Sequence, residues 1–306
     1  MINTSYVFWM ANSILICAAL HGGLTARLKH RGVLTVLTCL LATALGIVFA
    51  RLAYCLIQID YVMYDGFWET MKSDNLAYTS YYGSMAGAIL GALLAAVITG
   101  NRPVRALNVW APAGALMAAQ ARFAEYFLGT LRAGNYLEDA KVCFFPLAVE
   151  NEWGEWYLAV FMLAGIVYLA VFFFSLFIFR KQRFARTLFY LCLTQIMLES
   201  LRNQSLIWSE FVRAEQLLCM VAAEGVLILL GVQLIKKGLP FARAFVPAFA
   251  GLFCAGVFVA VEFTVQGKIL PDMPGSVYLG YGVMLLGLML LAVLEGLWRR
   301  KLNRKA

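Results

Sequence analysis

Nine apolar stretches recur along this chain, near 5–26, 33–58, 82–100, 106–128, 157–179, 187–204, 212–235, 244–264 and 275–298. Each approaches the roughly 20 residues that an α-helix needs to cross the hydrocarbon core of a bilayer. A backbone immersed in lipid must satisfy its own hydrogen bonds, so runs of this length fold as helices. The implied fold class is therefore all-α: a polytopic integral membrane helical bundle of about nine transmembrane helices. The balance of 62% hydrophobic and 14% charged residues, with mean hydropathy +0.78, excludes an ordinary soluble globule. The stretch 187–204 is the most polar of the nine, carrying Gln195, Glu199 and Arg202. The first stretch lacks a basic leader and is too long for a signal-peptide core, so it reads as a retained span.

The net charge of +8 sits in short clusters between the apolar runs, a distribution of membrane-flanking loops that argues against nucleic acid as a partner. One alternate set of loops holds Arg27, Lys29 and Arg31; Arg102 and Arg105; Arg180, Lys181, Arg183 and Arg186; Lys236, Lys237 and Arg243; and Arg299, Arg300, Lys301, Arg304 and Lys305. The other set holds only Lys72, Arg132, Lys141 and Lys268. Seventeen basic residues against four place the N-terminus outside and the C-terminus in the cytoplasm, because basic flanks are retained on the cytoplasmic side. The outer loops then include 59–81 and the acidic 129–156. Six of the seven cysteines fall within apolar runs, Cys143 being the exception, and no CxxC spacing occurs. With two histidines, His21 and His30, a histidine-rich metal site is ruled out by count, and no cofactor is implied.

This orientation gives each polar residue within the spans a depth. Arg51, Tyr82, Arg122, Glu125, Glu199 and Arg202 all fall in the outer half of the membrane at a helical rise of about 1.5 Å per residue. Arg122 and Glu125 are three residues apart, Gln195 and Glu199 four, and Glu199 and Arg202 three, so each set is expected along one helix face. An ionised side chain at a helix centre costs about 2.5–3.5 kcal/mol on insertion scales, and such groups usually face a cavity. Two readings stand: a structural ion lock between helices, or a pocket whose guanidiniums grip a lipid phosphate. Glu224 is a further mid-span acid. Gly83, Gly87 and Gly91, at four-residue spacing, read as a packing stripe.

Several local motifs are more specific. Ala50-Arg51-Leu52-Ala53-Tyr54 is followed by Ser80-Tyr81-Tyr82-Gly83-Ser84-Met85-Ala86-Gly87, then by Asn108-Val109-Trp110-Ala111-Pro112 and Ala121-Arg122-Phe123-Ala124-Glu125. Further on come Gln195-Ile196-Met197-Leu198-Glu199-Ser200-Leu201-Arg202 and Glu215-Gln216-Leu217-Leu218. In order and spacing these resemble the motifs of bacterial prolipoprotein diacylglyceryl transferases over roughly residues 1–236. The resemblance implies transfer of a diacylglyceryl group from phosphatidylglycerol to the lipobox cysteine of a prolipoprotein signal peptide. That reaction takes place at the outer face of the bacterial cytoplasmic (inner) membrane and releases glycerol phosphate. The resemblance also implies catalytic roles for Arg122, Glu125, Glu199 and Tyr82, and substrate contacts from Arg51, Tyr82, Gly83, Arg122, Gln195 and Arg202. The loop 129–156 would cover the headgroup.

The chain departs from the family pattern at four positions. Tyr82 stands where the family has a histidine, Glu125 where it has asparagine, Thr130 at an acidic position and Gln195 at an arginine. The string His21-Gly22-Gly23-Leu24 falls at the cytoplasmic end of the first span and does not replace the missing histidine. The departures leave open a lipid transferase with another acceptor, or a non-catalytic protein that binds phospholipid or signal peptide. Residues 237–306 are expected to add two spans and a basic tail. They contain Glu262, and also Glu295, which with Arg299 reads as an interfacial anchor.

Overall fold

A computed structural model describes residues 3–72, 79–203, 207–209, 212–265 and 275–304. Lys268 and Lys305 of the charge count, and 73–78 of the loop 59–81, lie outside the described residues. The chain is an all-α, multi-pass bundle, and each of the nine apolar stretches holds one long helix. These are α1 (Thr4–Leu24), α2 (Arg31–Ile57), α5 (Tyr81–Ile98), α6 (Pro103–Ala124), α7 (Val160–Phe173), α8 (Arg183–Ser200), α9 (Ala214–Ile235), α11 (Val246–Val265) and α12 (Ser276–Arg304). Short helices α3 (Ile59–Asp65), α4 (Phe67–Lys72) and α10 (Phe241–Ala244) lie in the connections. Among the described residues, seven helices are long and apolar enough to cross a membrane. The other two long helices are α6 and α8, which carry Arg122 and Glu199.

The helices pack as two compact units. The first comprises 1–187 with 201–208, and the second comprises 188–200 with 209–306. In the first unit α5 lies along α2, and α6 packs on α1, α5 and α7. The glycine stripe makes the α2–α5 approach possible: a Cβ on Gly83, Gly87 or Gly91 would overlap Phe49, Leu45 or Ala42 of α2. Asn108 of α6 caps the start of α8, its Oδ1 accepting from Phe184 N at 2.8 Å. The turns at 27–31 and 101–105 meet at one end of this unit, where Lys29 and Asn101 exchange two 3.0 Å hydrogen bonds.

At the other end α6 passes into a 3₁₀ segment, Glu125–Arg132. Gly129 there has φ 63° and ψ −135°, a conformation that excludes ordinary L side chains and turns Arg132 back toward the bundle. The loop that follows folds into strands β1 (Ala148–Glu150) and β2 (Trp156–Leu158), paired antiparallel.

In the second unit α11 packs on α12 and α9, and α12 also reaches α9. Leu230, Leu234, Ala244 and Leu302 form a buried cluster there. Glu295 and Arg299 are not an interfacial anchor. Their 2.7 Å ion pair has side chains 0% and 6% exposed, and Tyr190 donates to Glu295 at 3.4 Å. Burial makes this a fully desolvated lock rather than a weak surface pair.

Candidate functional site

The first unit encloses a cavity of about 700 Å³. Its lining on α1 runs from Tyr6 to His21, and on α2 from Arg51 back to Thr38. Fifteen residues of helix correspond to about 22 Å, so the cavity is longer than the roughly 15 Å hydrocarbon depth of one leaflet. Charge is concentrated at one end, where Arg51, Lys72, Glu125 and Arg132 line it beside Tyr6 and Thr79. Apolar side chains such as Ile14, Met85 and Met117 line the length between that end and His21.

Behind the polar end lies the pair expected from the three-residue spacing. Arg122 Nη1 donates to Glu125 Oε1 at 2.7 Å, and the second Glu125 oxygen lies 3.9 Å from Arg202 Nη2. One carboxylate therefore bridges two guanidiniums. Arg122 is only 1% exposed, and its guanidinium stacks on the Tyr81 ring 3.7 Å from the centroid. Its Nε and Nη2 have no hydrogen-bond partner among the described residues. Arg122 does not itself line the cavity, whereas Tyr81 and Glu125, the two groups it touches, both do.

Tyr82 and Gly83 also stand outside the lining. The Tyr82 hydroxyl shares a 3.3 Å hydrogen bond with Tyr168, and Gly83 abuts α2. Arg202 does not lie on a helix face with Glu199. Helix α8 ends at Ser200, and the chain turns extended, bridging Arg202 to Gly134 while Asn203 N donates to Ala133 O at 3.2 Å. The polar run after Ser200 gains backbone partners from the loop and loses helical register, so Arg202 is delivered to Glu125 instead.

Gln195 and Glu199 belong to the second unit and do lie on one helix face, with Gln195 Nε2 donating to Glu199 Oε2 at 2.8 Å. Both are buried. Arg213 Nη1 donates to the Glu199 carbonyl at 2.6 Å.

Three contributors escape a reading by spacing. Arg132, counted only as a loop charge, lines the cavity because Gly129 reverses the chain; its Nη2 donates to Thr79 O at 3.0 Å. Tyr81 rather than its neighbour Tyr82 faces the cavity. Tyr168 is the one hydroxyl within α7, and that rarity was its available signal. In the loop, Tyr157 donates to Glu155 Oε2 at 3.0 Å, a bond that raises its pKa above the usual phenolic value.

Fold and cavity together define a polytopic membrane protein with an arginine-headed apolar cavity. The family model for prolipoprotein diacylglyceryl transferase matches residues 4–232, and the chain belongs to that family. It is thus a multi-pass member of a transferase family of lipoprotein biogenesis. No curated protein and no solved structure matches it. The matched stretch stops short of α10, α11 and α12.

Proposed function

We propose that this chain transfers a diacylglyceryl group from phosphatidylglycerol to the lipobox cysteine of prolipoproteins, at the outer face of the bacterial inner membrane. Residues 1–236 form the transferase core in this reading, and 237–306 are an addition to it. The observation that carries the reading is the cavity, whose cations Arg51, Lys72 and Arg132 crowd one end of a long apolar channel. That arrangement suits an amphiphile with an anionic head and apolar tails.

In the reaction the cysteine sulfur attacks the glyceryl carbon next to the phosphate. A C–S bond forms, the C–O bond to phosphate breaks, and glycerol phosphate departs with the electron pair. Arg51 and Arg132 hold the phosphate and stabilise the charge that grows on it. Arg122 joins them once Glu125 or Tyr81 yields, since its two unpartnered N–H groups match a phosphate bidentately. Glu125, paired with both guanidiniums, positions Arg122 and Arg202, and the thiol proton passes to the lipid phosphate. Tyr82 supports Arg122 from behind through Tyr168, and Gly83 seats α5 against α2. Glu199 takes the orienting role that the family resemblance implies, and Gln195 the substrate contact.

The test is lipidation of a prolipoprotein by the purified protein in vesicles containing phosphatidylglycerol, together with complementation of cells depleted of their own transferase. Lipidated product that disappears in Arg122→Ala supports the assignment. A correctly inserted protein that yields none refutes it.

A second reading is favoured by the Glu125 bridge itself, which neutralises the arginines that a phosphate would need. On that reading the chain is a non-catalytic member that binds phospholipid or signal peptide. It would retain anionic lipid through purification without turnover.

A further inference from the structure

The last carbonyls of an α-helix have no intrahelical donor, and at membrane depth an unsatisfied carbonyl costs several kcal/mol. Helix α8 ends at Ser200 within the second unit, and its end is satisfied from outside the helix. Arg213 Nη1 donates to Glu199 O at 2.6 Å, and Tyr281 of α12 donates to Ser200 O at 3.4 Å. One turn earlier, Gln216 Nε2 donates to Ile196 O at 3.1 Å.

Two of these donors are themselves held by one carboxylate. Glu262 of α11, 5% exposed, accepts from Gln216 Nε2 at 3.1 Å through Oε1, while its Oε2 lies 3.5 Å from Arg213 Nε. Glu262 and Tyr281 both lie beyond residue 232, where the family match ends.

We propose that Glu262 is a positioning residue for Glu199: it fixes Arg213 and Gln216, which in turn hold the end of α8 and the carboxylate that this end carries. The helices outside the family match are therefore a clamp on a motif-bearing helix rather than an appendage. The clamp is carried by the contacts above. Its effect on turnover rests on the reading of Glu199 as a residue of the transferase site.

The experiment uses the full-length protein in nanodiscs containing phosphatidylglycerol. It compares wild type with Glu262→Gln, Glu262→Asp and the apolar double variant Arg213→Met/Glu262→Met. By hydrogen–deuterium exchange, Glu262→Gln should exchange the amides of 195–200 about tenfold faster or more, with the rest of α8 unchanged, as expected for a lost charge-assisted contact. Unchanged exchange at 195–200, or a uniform rise along the chain, overturns the clamp. In the lipidation assay Glu262→Gln should lower kcat by about tenfold to a hundredfold while KM for the phospholipid stays constant, with partial recovery in Glu262→Asp. Equal kcat in Glu262→Gln and wild type overturns the positioning role. If Glu262→Gln folds poorly, the double variant, which buries no unpaired charge, supplies the same two readouts. Absence of turnover in the wild type overturns the transferase reading, and the exchange measurement then decides the clamp on its own.

Discussion

Glu125 places a carboxylate where an incoming phosphate would meet Arg122 and Arg202. If the carboxylate competes with the lipid, Glu125→Asn should raise affinity for anionic over zwitterionic phospholipid by about tenfold, because an amide removes the negative charge that faces both guanidiniums. The same change should cost stability, about 3 kcal/mol, by breaking a buried pair from one side. Lipid binding and thermal unfolding of the variant measure the two effects separately, and weaker anionic-lipid binding would show that Glu125 supports the site instead. Arg122→Lys keeps a charge but loses the planar fork stacked on Tyr81, and lipidation should fall at least about tenfold. The Arg122–Glu125 pair was legible in the sequence because both residues sit where helical spacing governs contact. The Arg202 contact was not, because it depends on α8 ending at Ser200 and on a backbone bridge to Gly134. Arg132 was hidden for a related reason: its position follows from the backbone reversal at Gly129, which no charge pattern encodes.

At the scale of elements, every long helix overlaps an apolar stretch, because the bilayer requirement writes helix length into composition. Polar flanks continue the helix, so α8 starts four residues before its stretch and α12 runs six beyond its own. What the stretches left unspecified was partnership. The spacing of Gly83, Gly87 and Gly91 announced a close approach, and only the fold identifies α2 as the neighbour. Gly87 is the tightest of these sites, with Leu45 and Phe49 against it, so Gly87→Leu should lower stability by about 1–3 kcal/mol or more through overpacking. Gly23→Ala in α1 is the control, since nothing lies within 4 Å of its added Cβ. Parallel thermal unfolding in detergent should show a clear fall for the first and little change for the second. Equal behaviour would mean that the α2–α5 contact contributes little. Glu262 escaped a reading by element for the same reason: it acquires Gln216 and Arg213 only when α9 and α11 meet, whereas the Glu295–Arg299 pair follows from four-residue spacing within α12 and only its Tyr190 contact depends on a second helix.

For the whole molecule, the two ends of the first unit differ in the polar groups that gather there. The basic turns at 27–31 and 101–105 meet at one end, while Arg132 and Thr79 meet at the other, beside the arginine-headed end of the cavity. If the basic turns are retained in the cytoplasm, the cavity's polar end opens toward the outer leaflet, where a secreted prolipoprotein would meet the lipid. Cys143 provides a native probe of this arrangement. It lies in the loop between the 3₁₀ segment and β1, partly exposed, with its thiol 3.3 Å from Asp139 O, whereas Cys17, Cys55, Cys192, Cys219 and Cys254 are buried within helices. Cys39 is partly buried in α2 and faces the cavity. A membrane-impermeant maleimide added to intact spheroplasts should therefore label one site, Cys143, and Cys143→Ser should abolish that labelling. Labelling of Cys143 only after permeabilisation would invert the orientation. The arginine-headed end would then face the cytoplasm, where an exported lipobox cysteine does not present itself, and the proposed acceptor would be excluded together with the orientation.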